Sequence, residues 1–269
     1  MKNLVCFICH LINDDVINRF NVIKDGLPEG FDIVYTIPTK IDKRKLKRLK
    51  GINYLYLDLS LEELLHPKNN SLPSNDIVYN LVYSQYNDYD NYWFIEYDIM
   101  FNDNKSEYWL NFFNEYKDKD IDLLCCHFNH YNIKHCLGPY NYSKMIYHSL
   151  IDEETLLNDG LVTQDNFLLL DNIYFSFLVN CKFSKKMMEL IYQYYNIDFP
   201  QSKCFFEYLI PTLAMKNNLT VVDFDEKYTQ FIDYISGNPH FRLNYGSVSW
   251  YKENKTQYDG DKFVHPIKC

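Results

Sequence analysis

Glu96 and Asp98 stand in an otherwise apolar run, Tyr-Trp-Phe-Ile-Glu-Tyr-Asp-Ile-Met-Phe, over residues 92–101. Residues 92–95 suit a buried strand, so the acids are expected where that strand leaves its sheet. In an open α/β sheet that edge is where ligands collect. Two carboxylates at i and i+2 of an extended backbone point to one side, an arrangement that can hold a hard divalent cation. An acidic surface turn is the plainer reading, but carboxylates buried beside Trp93 and Phe94 are costly without a cation or hydrogen-bond donors.

Other residues with chemistry are more scattered. Glu207 sits in Phe-Phe-Glu-Tyr-Leu-Ile-Pro-Thr, residues 205–212. If that helix face is buried, the carboxylate should line a cleft, either binding a hydroxyl or acting as a general base with a pKa raised by apolar neighbours. One polar position on an amphipathic helix explains it equally well. Asp165, in Thr-Gln-Asp-Asn, is a competing acid or a helix cap. His265, in Val-His-Pro-Ile-Lys, is either a metal-ligating imidazole, which would tilt the metal toward Mn²⁺, or a tail histidine in solvent. Cys6 to His10 matches a haem-attachment spacing, but cysteines three apart on a strand face opposite sides. Cys125, Cys126 and His127 with His130, His135 and Cys136 offer zinc ligands at no standard spacing, so a core strand followed by a polar loop is preferred.

The elements that must position these residues read as strand and helix in alternation. Residues 4–11 form the first strand, with Asp14 and Asp15 starting a helix over 16–24. A strand over 31–37 ends at Pro38, the basic run 43–50 follows, and a third strand covers 54–59. Ser74, Asn75 and Asp76 cap a helix that leads to the Trp93 strand. Later come a helix at 109–116, strands at 121–128 and 174–180, and a helix capped by Ser184. A second helix, capped by Ser202, is bent at Pro211, and a strand at 221–224 follows. Residues beyond 225 read as a long aromatic tail punctuated by glycine and proline. Such alternation predicts a mainly parallel sheet flanked by helices, in a single domain of α/β class.

With 269 residues, 47% of them hydrophobic, the chain can bury one large core. A formal net charge of −9 argues against a nucleic-acid binder, since phosphate neutralisation needs a basic surface. The cysteines fall mostly in apolar runs, which fits a reducing cytoplasm rather than a disulfide scaffold. No apolar run is long enough to cross a bilayer. The basic run 43–50 is read as a solvated face, with peripheral contact to an anionic membrane as the alternative.

The order of these parts resembles the GT-A-fold, metal-dependent glycosyltransferases of bacterial surface-polysaccharide type, over most of the chain. It runs from a nucleotide-type half over 1–103, ending in Glu96-Tyr97-Asp98, to an acceptor half over 104–269 that holds the Glu207 helix and the terminal Val-His-Pro-Ile-Lys. The resemblance implies a nucleotide-diphosphate sugar donor, a glycan or glycolipid acceptor, and Mn²⁺ or Mg²⁺. It implies Asp98 and His265 as metal ligands, Lys268 on the diphosphate, and Glu96 on the ribose or on metal-bound water. The first strand and the Tyr35 region would take the base and ribose, and Glu207 or Asp165 would face the acceptor. The family motif has Asp at its first position, where this chain has Glu96. A metal-dependent nucleotidyltransferase and a non-catalytic carbohydrate-binding relative are the rival readings.

Overall fold

Alternating strand and helix signals in the first hundred residues do build parallel strands. The computed structural model describes residues 1–60, 65–66, 69–73, 75–131, 173–198, 206–228 and 259–264. Strand β1 (Asn3–Ile8) is buried along its whole length and leads to helix α1 (Asp14–Asp25). The cap of α1 is Asn13, whose side chain accepts from the Val16 N–H; Asp14 and Asp15, expected to start the helix, occupy its first turn. Strand β2 (Phe31–Thr39) continues past Pro38, with its register against β3 (Tyr54–Leu59) shifting between Ile37 and Thr39. Proline cannot donate to a ladder, so the irregularity accommodates it where an end to the strand was expected. The basic run between these strands is a 3₁₀ helix, Lys43–Leu49.

The short pair β4 (Leu65–His66) and β5 (Asn69–Pro73) precedes helix α2 (Asn75–Gln85), which leads into β6 (Asn91–Glu96) and β7 (Met100–Phe101). Helix α3 (Ser106–Tyr116) and strand β8 (Leu123–Tyr131) follow. Strand β9 (Ile173–Ser184) runs directly into α4 (Lys185–Gln193), capped by Ser184 as expected, and then a π turn (Tyr194–Asp198). Helix α5 (Phe206–Lys216), strand β10 (Val221–Asp223), the single turn α6 (Asp225–Tyr228) and strand β11 (Phe263–Val264) complete the described elements.

Seven strands form one sheet in the order β10-β8-β9-β6-β1-β2-β3. Pairings are parallel except those of β9, which runs antiparallel to both β6 and β8. Strand β1 has β2 on one side and β6 on the other, so successive connections leave it in opposite directions. That makes the carboxyl ends of β1 and β6 the switch point where an α/β sheet opens a crevice. Strands from residues 1–103 and from residues 104–269 belong to the same sheet.

Side chains alternate between two cores. Leu4, Cys6, Tyr92 and Phe94 join one, covered by α2, α4 and α5; Val5, Phe7, Trp93 and Ile95 join the other, covered by α1 and α3. Cys125 and Cys126 likewise fall in opposite cores, so they cannot share one zinc ion. His135 and Cys136 lie outside the described residues. None of the five described cysteines is in a disulfide, and no described helix is long and apolar enough to cross a membrane.

The far end of the chain returns to the acidic motif. Strand β11 pairs antiparallel with β7, placing Val264 opposite Met100, and Phe263 stacks on Phe101 with ring centroids 4.0 Å apart. The Asn102 and Asp103 N–H groups donate to the carbonyls of Lys262 and Gly260 at 2.9 and 3.0 Å. A Cβ at Gly260 would meet the Asp103 carboxylate at 2.3 Å, so any larger residue there would have to turn that side chain aside. Residues 259–262 are turn and bend, as an irregular tail predicts, and only Phe263 and Val264 depart from it, ordered by burial of the Phe263 ring and by ladder hydrogen bonds. Phe263→Ala is expected to cost about 3–5 kcal/mol of stability in denaturant titration; a loss below about 1 kcal/mol would show that the ring does not anchor this return.

Candidate functional site

Strand β6 is buried from Asn91 to Ile95 and reaches half-buried Glu96 as its last residue. Glu96 pairs with Ile8, the last residue of β1, and the Tyr97 N–H then donates to the Ile8 carbonyl at 3.1 Å. Both acids of the motif therefore stand at the switch point, as the sequence predicts. Their expected geometry does not hold. Residues 97–98 form a turn closed by the Ile99 N–H on the Glu96 carbonyl at 3.2 Å, so the rule that i and i+2 share one face of a strand does not apply. Asp98 is buried within this turn at 1% exposure.

Arg19 holds the turn from behind. It is 6% exposed, and its guanidinium donates to the Tyr97 carbonyl at 2.9 Å. The sequence carried a signal for it: Val16, Arg19, Phe20 and Ile23 share the buried stripe of α1, and a charged residue in an apolar stripe requires a partner.

On the other face of the sheet, α2 and α5 gather further acids around Glu96. The Asn75 amide donates to Glu96 Oε1. Helix α5 is not amphipathic: residues 206–214 are all buried, which removes the reading of Glu207 as a polar position on an exposed face. Burial first, and then the Glu96 charge, push the Glu207 carboxyl well above the usual carboxylate range, while the Leu178 N–H pulls it down. Tyr79 lies among the same groups, its hydroxyl pushed up by burial and by the charges of Cys181, Glu96, Glu207 and Asp76. Asp76 is raised to about 6 by burial, against hydrogen bonds from Tyr195 and from the N–H groups of Asp76 and Ile77. The structure thus brings Glu207, expected in a cleft near the motif, into the electrostatic reach of Glu96.

Tyr35 is placed differently from expectation. Its ring is fully buried among Phe7 and Phe20, and its hydroxyl donates to the Leu11 carbonyl, so it supports the loop after β1 and offers no face for a base to stack on. Asp165, His265 and Lys268 lie outside the described residues. Among the described residues no three His, Cys, Asp or Glu side chains converge as a metal site. The motif offers carboxylate oxygens, which suit Mn²⁺ or Mg²⁺ rather than a soft metal.

No protein-family model matches the chain, and no curated protein matches it in sequence. Solved structures similar to it include a glycosyltransferase involved in glycosylation of the major capsid of PBCV-1, at 11% identity and a TM-score of 0.42, covering 100% of this chain and 96% of that one. The galactosyltransferase LgtC with donor and acceptor sugar analogs is similar at 11% identity and a TM-score of 0.45, covering 100% and 87%. Core-mannan synthase A of Aspergillus fumigatus, in a Mn/GDP form, gives 11% and 0.39 over 83% and 73%. Likeness at this level gives no residue of this chain a role.

The raised Asp76 carboxyl has a consequence for stability. Its folded value, about 6, lies above its ordinary 3.8, so the stability it contributes is complete below about pH 4 and is lost as pH rises through 6. Asp76→Asn, neutral at every pH, should flatten the fall in unfolding free energy between pH 4 and 7 by up to roughly 3 kcal/mol. Denaturant titrations across that range check it, and an unchanged slope in the variant would contradict the assignment.

Proposed function

We propose that the protein transfers a sugar from a nucleotide-diphosphate donor to a glycan or lipid-linked glycan acceptor, assisted by Mn²⁺ or Mg²⁺. One observation carries the reading: β6 delivers Glu96 and Asp98 to the switch point of a mainly parallel sheet, and α5 sets a buried Glu207 beside Glu96. Acids alone repel a diphosphate, whereas acids that hold a divalent cation attract it. When bound, the ion supplies Lewis-acid neutralisation of the departing diphosphate.

In this reading Asp98 holds the cation and Glu96 receives the donor ribose. Strand β11 ends opposite Met100, two residues past Asp98, and consecutive Cα atoms are about 3.8 Å apart. That closeness supports His265 as a further metal ligand and Lys268 as a diphosphate contact. Tyr35 serves the donor side through the loop it supports, and Asp165 stands as the other acid for the acceptor side.

In the reaction, the bond from the sugar's anomeric carbon to the diphosphate oxygen breaks, and its electron pair leaves with the nucleoside diphosphate. The acceptor hydroxyl oxygen forms the new bond to that carbon. In an inverting course the hydroxyl proton passes to the Glu207 carboxylate, for which a raised pKa makes a stronger base. In a retaining course Glu207 orients the hydroxyl. An acceptor carried on lipid would bring the enzyme to a membrane face, and the exposed Lys43, Lys45 and Lys47 support peripheral contact there, from a reducing cytoplasm in which the cysteines stay reduced.

Release of nucleoside diphosphate from a panel of nucleotide sugars, with Mn²⁺ and without, tests the reading. Metal-dependent release of diphosphate supports it; pyrophosphate as product would indicate nucleotidyl transfer, and glycan binding without turnover a non-catalytic module. Asp98→Asn keeps the volume and removes the charge, so metal-dependent turnover should disappear while the fold persists. Wild-type turnover in that variant would rule out Asp98 as the ligand. Glu207→Gln should lower turnover by roughly 10² to 10⁴ with donor binding retained if the residue is the general base, and by less, partly in acceptor KM, if it only orients the hydroxyl. Lost donor affinity with normal turnover at saturating donor would put Glu207 on the wrong side of the cleft.

A further inference from the structure

Asn75 opens α2 and is 6% exposed, yet its amide nitrogen reaches across the chain to the last residue of β6, donating to Glu96 Oε1. The contact is one of four that lock α2, β6, β9 and α5 around the two carboxylates. One helical turn along, the Tyr79 ring lies 4.3 Å from that of Phe94, and its hydroxyl donates to the Leu178 carbonyl at 3.3 Å. The N–H of the same Leu178 goes to Glu207. The start of α2 is thereby seated on the carboxyl end of β6 by packing, and Asn75 is the polar group that this seating presents to Glu96.

Glu96 requires such a hold. It is half-buried, has three side-chain torsions, and carries a charge that Glu207 feels. A flexible carboxylate is better solvated when it turns outward, toward water. A lysine or arginine at position 75 would restrain it too, but would cancel the negative charge that a cation or sugar hydroxyl recognises. An amide restrains the carboxylate through a charge-assisted hydrogen bond and leaves its charge in place.

We propose that Asn75 is a positioning residue for the nucleotide-diphosphate site, acting through Glu96 by fixing the orientation of its carboxylate. This rests on the assignment of Glu96 to the donor made above. Asn75 itself touches no reacting atom, and its contribution is made before the donor arrives, so it belongs to binding rather than to the chemical step.

The test is a double-mutant cycle on binding, read by calorimetry with Mn²⁺ and uridine diphosphate, and separately with Mn²⁺ and guanosine diphosphate. Asn75→Leu, close in volume and without a donor, should weaken diphosphate binding by about tenfold, the scale of one lost hydrogen bond to a charged group. In a Glu96→Ala background the same substitution should change affinity less than twofold, because its target is gone. Asn75→Ser, which keeps a helix-starting residue but cannot reach Glu96, should repeat both results, and a cooperative melt of each ligand-free variant establishes that it is folded. Equal losses in both backgrounds would make Asn75 a structural residue and overturn the proposal, as would unchanged affinity in the single variants. If the wild-type protein binds neither diphosphate with Mn²⁺, the functional reading fails together with this one; a failure confined to the variants leaves that reading standing.

Discussion

The parallel pairing of β1 with β6 is the constraint on which the site depends. It sets Ile8 opposite Glu96 and lets the turn after β6 begin with the Tyr97 N–H on the Ile8 carbonyl. Strand β6 cannot slide against β1, because Trp93 and Phe94 are both fully buried in opposite cores and a slip of one residue would exchange them. Apolar burial on both faces thus fixes the height at which the chain can first carry a carboxylate.

At that height the fold holds the motif mainly with groups that leave its charge intact. Arg19 binds the Tyr97 carbonyl, Asn75 binds one Glu96 oxygen, and the Leu178 N–H binds Glu207. Burial raises the Glu207 and Asp76 carboxyls, so the region is one of desolvated acids. That property distinguishes it from the ion pairs elsewhere on the molecule, such as Arg44 with Asp42 and Lys2 with Asp88, which are exposed and contribute little to stability.

Two long-range returns complete the packing around the motif. Strand β9 enters antiparallel between β6 and β8, and α5 is stitched to it by Thr212, whose hydroxyl accepts the Tyr174 N–H at 3.0 Å. This stitch lies beside Pro211, where the helix has no N–H for the Glu207 carbonyl. The other return is β11, held on β7 by the Phe101 and Phe263 rings, which brings the carboxyl-terminal segment within two residues of Asp98.

Much of this was legible in the amino-acid sequence. The apolar run before Glu96 specified a buried strand with its acids at the edge, the alternation of elements specified a mainly parallel sheet, and the cost of an acid among aromatic residues marked Glu207. Arg19 was legible in the stripe of α1 but is recognised only once its partner is known. Other features could not be read. The turn at residues 97–98, the burial of Tyr35, the antiparallel entry of β9 and the Asn75 contact with Glu96, 21 positions away, all depend on which elements meet. The physical reason is the range of the forces involved. Backbone preference and hydrophobic periodicity act between near neighbours and are written along the chain. A hydrogen-bond partner for a buried polar group exists only after distant segments have packed, so its identity is decided by the tertiary structure.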